Sequence, residues 1–278
     1  MMGRRDPQTQ PQPLPLPLPQ RQPQPGALRS LLMAVLLLAV MLWAGLVCLA
    51  WCGLAMVLAP LLPARRGQAL GRWAIATIFR MVWAMAVGAG LLRLDAAALN
   101  ALRDEHGLII VANHPSMMDA LILVAHLPRS ACIMKASLLR NVFLGGGARL
   151  ARYVSNQPPL GMVRRAVQVL KEGGQLVMFP EGTRTTLAPL NPFGHSVSLI
   201  AKHAAAPIQT VFIDTDSPYL GKGWPLCKLP PLPVVIHIRL GERFAAQADA
   251  DALLRQIEAY YRAGVKPHRA AAGAPPAG

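Results

Sequence analysis

The string Asn113-His114-Pro115-Ser116-Met117-Met118-Asp119 sets an imidazole and a carboxylate five positions apart across a proline. A carboxylate bonded to one ring nitrogen fixes the tautomer and leaves the other nitrogen to take a proton, so the pair suits a general base. A second string, Phe179-Pro180-Glu181-Gly182-Thr183-Arg184, offers a carboxylate, a hydroxyl and a guanidinium within four positions. The guanidinium of Arg184 suits a phosphate, because it forms paired, charge-assisted hydrogen bonds. Taken singly, each string also has a plainer reading, with Asp119 a helix cap, His114 a turn histidine and Arg184 a surface arginine.

The surrounding residues are expected to bring the two strings to the edge of a sheet. Residues 107–112 are apolar and β-branched and read as a buried strand, which Pro115 ends by biasing His114 away from helical angles. Ser116 and Asp119, ahead of Leu121-Ile122-Leu123-Val124, form a capping-box pattern that opens a helix. Residues 175–179 read as a second strand and deliver Glu181, Thr183 and Arg184 to its end, where α/β sheets place their sites.

With both strings in hand, in this order and separated by 59 residues, the chain resembles the glycerolipid acyltransferase family, of the lysophosphatidic acid acyltransferase type. The resemblance covers roughly residues 70–262, and Lys135-Ala136-Ser137-Leu138 and Ala206-Pro207-Ile208-Gln209-Thr210-Val211 match weaker family segments. It implies His114 as general base and Asp119 as its partner. It also implies Glu181, Gly182, Thr183, Arg184, Lys135, Asn113 and Pro207 as substrate-binding positions. The implied reaction moves an acyl chain from acyl-CoA or an acyl carrier protein to a hydroxyl of a glycerol (phospho)lipid, by direct attack without an acyl-enzyme. No cofactor and no metal are expected. Oxyanion donors are expected near the turn, with the amides after Pro115 as candidates.

Two departures fall on the acceptor side. Members often carry an arginine at the end of the strand between the two motifs, where this chain has Arg152-Tyr153-Val154-Ser155-Asn156-Gln157. A segment that is commonly Phe-x-Arg-Gly is here Asn191-Pro192-Phe193-Gly194-His195-Ser196. Members serving aryl-polyene or other specialised lipid pathways are therefore an alternative resemblance. A non-catalytic, membrane-anchored scaffold is the alternative of another class.

No charged residue occurs in residues 30–64, and residues 31–59 are almost wholly apolar. As one helix those 29 residues would measure roughly 43 Å against a hydrocarbon core of about 30 Å, which marks a membrane segment. Arginines flank it on both sides, at 4, 5, 21 and 29 and at 65, 66, 72 and 80. A hairpin bent near Gly45 or Gly53 satisfies that symmetry, and a single tilted span is its rival. Residues 73–92 are apolar but interrupted by Arg80, which predicts a helix lying at the interface or packed on the catalytic domain.

The net charge of +15 suits anionic lipid, a thioester donor's phosphates or an acidic carrier protein. Nucleic acid is not expected, because no zinc-finger spacing or aromatic RNA-binding motif accompanies the charge. Cys48, Cys52, Cys132 and Cys227 form neither a disulfide framework nor a metal quartet, and the other histidines show no ligand spacing. Gly145-Gly146-Gly147 reads as a loop or helix end.

The expected fold class is α/β, a glycerolipid acyltransferase-like sheet flanked by helices, with an N-terminal membrane-embedded helical segment. Strands are expected at 108–112, 131–135, 152–155, 175–180, 207–213 and 233–240, and helices near 116–126, 137–150, 159–172, 195–205 and 248–262. The expected division is a Pro/Gln-rich tail (1–29), a membrane-associated helical region (30–93), the acyltransferase domain (94–262) and a flexible tail (263–278). The expected location is the bacterial inner membrane, with the catalytic domain on the cytoplasmic side.

Overall fold

The computed structural model describes residues 26–225 and 228–265. Most of the expected N-terminal tail and residues 266–278 of the C-terminal one lie outside them. Two long helices lead the chain, α1 (Ala27–Leu61) and α2 (Ala64–Gly88). Then follow β1 (Leu92–Asp95), β2 (Ile109–Ala112), α3 (Met118–His126), β3 (Ser130–Met134), α4 (Gly145–Leu150) and β4 (Val154–Ser155). The remainder is α5 (Pro159–Lys171), β5 (Gln175–Met178), α6 (Ser196–Ala204), β6 (Ile208–Thr215), β7 (Val234–Phe244) and α7 (Ala250–Gly264).

The seven strands form one sheet in the order β1-β7-β6-β2-β5-β3-β4. Strands β6, β2, β5, β3 and β4 run parallel, β7 is antiparallel to β6, and β1 is parallel to β7. Strands β2 and β5 sit at the centre with every residue buried, as their unbroken apolar runs require of strands covered on both faces. Alternation along β2 divides the core. Ile110 and Ala112 join the layer built on α1, α2 and α3, while Ile109 and Val111 join the layer built on α5, α6 and α7. All six expected strands are present, and β1 is an addition to them; the expected border at 93/94 falls within it.

Both proposed bends in α1 are absent. The helix runs unbroken through Gly45 and Gly53, and the hairpin turns instead at Leu62-Pro63. Leu62 is extended (φ −102°, ψ 138°), as expected of a residue held out of the helical region by the following proline. Val40, Cys48, Cys52 and Ala55 are buried on one side of α1, while Leu28, Leu31, Leu32, Val35, Leu38, Leu42 and Leu46 stand exposed on the other. The exposed row is a helical stripe facing away from the domain.

The glycine triplet is a helix end, the first turn of α4, pressed against the hairpin. A Cβ on Gly146 would lie 2.5 Å from the Cys52 carbonyl oxygen, and one on Gly71 of α2 would lie 2.6 Å from the Ala151 amide nitrogen. Only glycine permits backbones to approach so closely. Arg72, expected as part of a basic flank, is instead buried, donating through Nε to the Ala151 carbonyl (3.2 Å) and through Nη1 to that of Arg129 (2.8 Å). Helix α2 thus packs on the sheet domain, one of the two placements expected for residues 73–92.

Candidate active site

The parallel strands β2, β5 and β3 end at one edge, and their following residues carry the candidate groups. At the end of β2, Asn113 donates through Nδ2 to the Ile213 carbonyl (2.9 Å) and accepts the Ile213 N–H at Oδ1 (2.8 Å). That pairing locks the start of the turn onto β6. His114 follows, and its Nδ1 lies 2.9 Å from Asp119 Oδ2. The same oxygen accepts the Ser116 N–H at 2.7 Å, which is the half of the capping box that reaches back from the helix. Helix α3 begins at Met118, so Asp119 stands in its first turn.

Asp119 is wholly buried, and its Oδ1 has no hydrogen-bond partner among the described residues. Burial pushes this carboxyl above its ordinary range, against the opposing pull of His114, the Ser116 N–H and the Arg184 charge. The His114 ring also stacks on Phe179, with centroids 4.0 Å apart.

The second motif supports the first from below. Glu181 Oε1 accepts the His114 backbone N–H (3.0 Å) and the Thr185 hydroxyl (2.8 Å), and Oε2 accepts the Asn191 N–H (2.9 Å). Thr185 returns its own N–H to the His114 carbonyl at 2.8 Å. Both oxygens of Glu181, expected in a substrate wall, thus accept donors from the loops around His114. Its carboxyl is pushed up by burial and held back by those same donors. Arg184 donates from Nη1 to the Leu220 and Gly221 carbonyls (2.8 and 2.9 Å), tying the glutamate loop to the segment before β7. Gly182, at φ +66°, makes the turn between them, and Thr183 is exposed beside it.

The remaining expected positions separate. Lys135 follows β3 at the same sheet edge and is exposed. Pro207 does not belong to the site. Ile208 pairs with Ile109, so Pro207 enters at the opposite edge, roughly 20 Å of strand away from Ile213. The amides after Pro115 are also committed: Ser116 to Asp119, Met117 to the Leu220 carbonyl (3.0 Å) and Met118 to Ser116 Oγ (3.3 Å). Asn156 spends its Oδ1 on the Ala136 N–H at 3.0 Å. Sequence reasoning gave no role to Thr185, Phe179 or Asn191, although the last two stood within the strings noted above.

Two spaces adjoin the turn. An apolar cavity of about 180 Å³ lies between α1, α2 and α3, lined by Met117, Met118, Val40, Val82 and Trp83 among others. On the other side a cleft of about 800 Å³ is bounded by Asn113, Pro115, Lys222, Trp224 and Lys228. Among the described residues, no three His, Cys, Asp or Glu side chains gather as a metal site would require.

A model of the acyltransferase family matches residues 93–214, which contain both motifs. A 1-acyl-sn-glycerol-3-phosphate acyltransferase of Pseudomonas aeruginosa is 24% identical over 214 residues, covering 74% of this chain and 79% of the relative. Over the residues that carry both motifs, the chain is similar to the glycerolipid acyltransferases. A human 1-acyl-sn-glycerol-3-phosphate acyltransferase beta is 28% identical over 135 residues, 46% of this chain and 49% of that protein. The crystal structure of PlsC, the LPA acyltransferase of Thermotoga maritima, shares the fold at a TM-score of 0.63 and 18% identity, covering 85% of this chain and 95% of that one. Within this acyltransferase, the family's two motifs have become one hydrogen-bonded unit around His114.

Proposed function

We propose that this acyltransferase transfers an acyl chain from a thioester, carried by CoA or an acyl carrier protein, to a hydroxyl of a glycerol (phospho)lipid. The observation that carries the reading is the 2.9 Å contact between His114 Nδ1 and the buried Asp119. Because Oδ2 already accepts the Ser116 N–H, it serves as acceptor toward Nδ1–H as well, which leaves the lone pair on Nε2. That nitrogen takes the acceptor's proton as its oxygen attacks the thioester carbonyl; the tetrahedral intermediate then expels the thiolate. A positioned base of this kind contributes about 10²- to 10⁴-fold.

Residues 94–262 form the catalytic unit in this reading, and residues 30–93 its membrane part. Helix α1 runs about 52 Å and its exposed stripe faces lipid, while α2 clamps the hairpin to the domain, at the cytoplasmic face of a bacterial inner membrane. The apolar cavity beside Met117 and Met118 takes part of an acyl chain. Resemblance to the P. aeruginosa enzyme supports 1-acylglycerol-3-phosphate as acceptor, with Lys135 and Arg184 near its phosphate. The neutral, committed Asn156 favours a second reading, an acceptor without that phosphate.

Mass spectrometry of lipid products from cells carrying wild type or His114→Ala tests the proposal. A new diacyl product that depends on His114 is expected; unchanged products remove the assignment of the base. The headgroup of that product separates the two acceptor readings.

A further inference from the structure

The lipid-facing stripe of α1 has a neighbour that the catalytic machinery does not use. After β3, the chain passes through a 3-10 turn, Ala136–Arg140, and residues 141–144 before entering α4. Leu138, Val142 and Phe143 are 37%, 64% and 43% exposed there. The segment is tightly turned, since the Phe143 N–H donates to Asn141 Oδ1 (2.9 Å) and the Gly145 N–H to the Asn141 carbonyl (2.7 Å). Phe143 reaches α1: a Cβ on Gly45 would lie 3.9 Å from its Cε1, near the middle of that helix. The apolar tip is therefore continuous with the α1 stripe.

Its rim is cationic. Arg149 donates through Nη1 to the Leu139 carbonyl at 2.9 Å, which brings its guanidinium onto the turn that carries Arg140. Between Asp119 and Glu172 there are eight lysines and arginines and no acid. An apolar tip with basic side chains around it matches the interface of a bilayer with anionic headgroups, where the tip meets acyl chains and the rim meets phosphates.

We propose that residues 138–143 form a second membrane contact, inserting Leu138, Val142 and Phe143 beside α1 with Arg140 and Arg149 at the headgroups. This rests on the reading of α1 as lipid-facing. Because Lys135 opens the turn at the end of β3, seating the loop brings the sheet edge that carries His114 to the headgroup layer. The acceptor then reaches the base from within its own leaflet.

The test uses the full chain with a fluorescent dansyl amino acid in place of Val142, and a second protein labelled in place of Leu42 on α1. Both positions are exposed, so the label leaves the core intact. Each protein is added to vesicles of brominated phosphatidylcholine containing about one third phosphatidylglycerol, or none. Bromine quenching at both positions is expected, weaker at 142 without the anionic lipid. Arg140→Gln should reduce the seated fraction of the loop about five-fold. Quenching at 42 with 142 still in water overturns the loop contact and leaves α1 in place. Quenching at neither overturns both, and equal quenching at 142 in the two vesicle types overturns the headgroup assignment.

Discussion

The imidazole of His114 lies nearly flat on the ring of Phe179, with 19° between the planes. One face of the imidazole is covered and Nδ1 is held by Asp119, so the proposed mechanism brings substrate to the other face and to Nε2. Phe179→Ala frees the ring to turn and is expected to lower kcat about 10- to 100-fold with little change in KM. Phe179→Tyr, which keeps the stack, should retain most of the rate. Steady-state kinetics with thioester release as the readout decides it.

Asp119→Asn separates catalysis from stability. The amide donates to Nδ1, forces the proton onto Nε2 and should cut turnover about 10⁴-fold. The Asp119 carboxyl is raised in the fold, so its contribution to stability is full below its ordinary value of 3.8 and is lost as pH rises through the raised value. The asparagine variant carries no such loss. Thermal unfolding should therefore show its advantage over wild type growing from acid toward neutral pH.

Glu181→Gln replaces an acceptor of three donors with a group that must turn an NH₂ toward one of them. A destabilisation of about 1–3 kcal/mol is expected, together with a loss of kcat, because the His114 backbone is released. Denaturant unfolding and kinetics on the same preparation check both.

The apolar cavity is open to a size test. Ala86, buried on α2, lines it, and Ala86→Phe should shorten the acyl chain accepted. Each methylene that no longer fits costs roughly 0.8 kcal/mol, about four-fold in kcat/KM. Competition among thioesters of graded length reads the shift.

Removal of residues 27–61 should yield an aggregating protein rather than a soluble domain. That deletion uncovers Phe79, Val82 and Trp83 on α2 and strips the wall that Gly146 touches. Size-exclusion chromatography in detergent and in buffer is the check.

The catalytic turn was legible because its signals are local: an apolar strand, a proline, then a carboxylate three residues after Ser116. Elements set by distant partners were not. β1 follows an apolar helix and gains its identity only by pairing with β7, at Leu92 and Val234. The role of Glu181 depends on Asn191 and Thr185 folding back over it, a contact no motif encodes. Gly45 and Gly53 are permissive of a bend but do not impose one, whereas Pro63 makes the hairpin through its effect on Leu62. Pro207 matched the family in sequence, yet the direction of a parallel strand carries it away from the base.

At Gly146 and Cys52 the leading helical hairpin and the sheet domain meet main chain to main chain, with no side chain between them to absorb a mismatch. Exchange of the first two helices with those of a relative would therefore fail unless the glycine triplet travelled with them. Hairpin and sheet domain fit as one part.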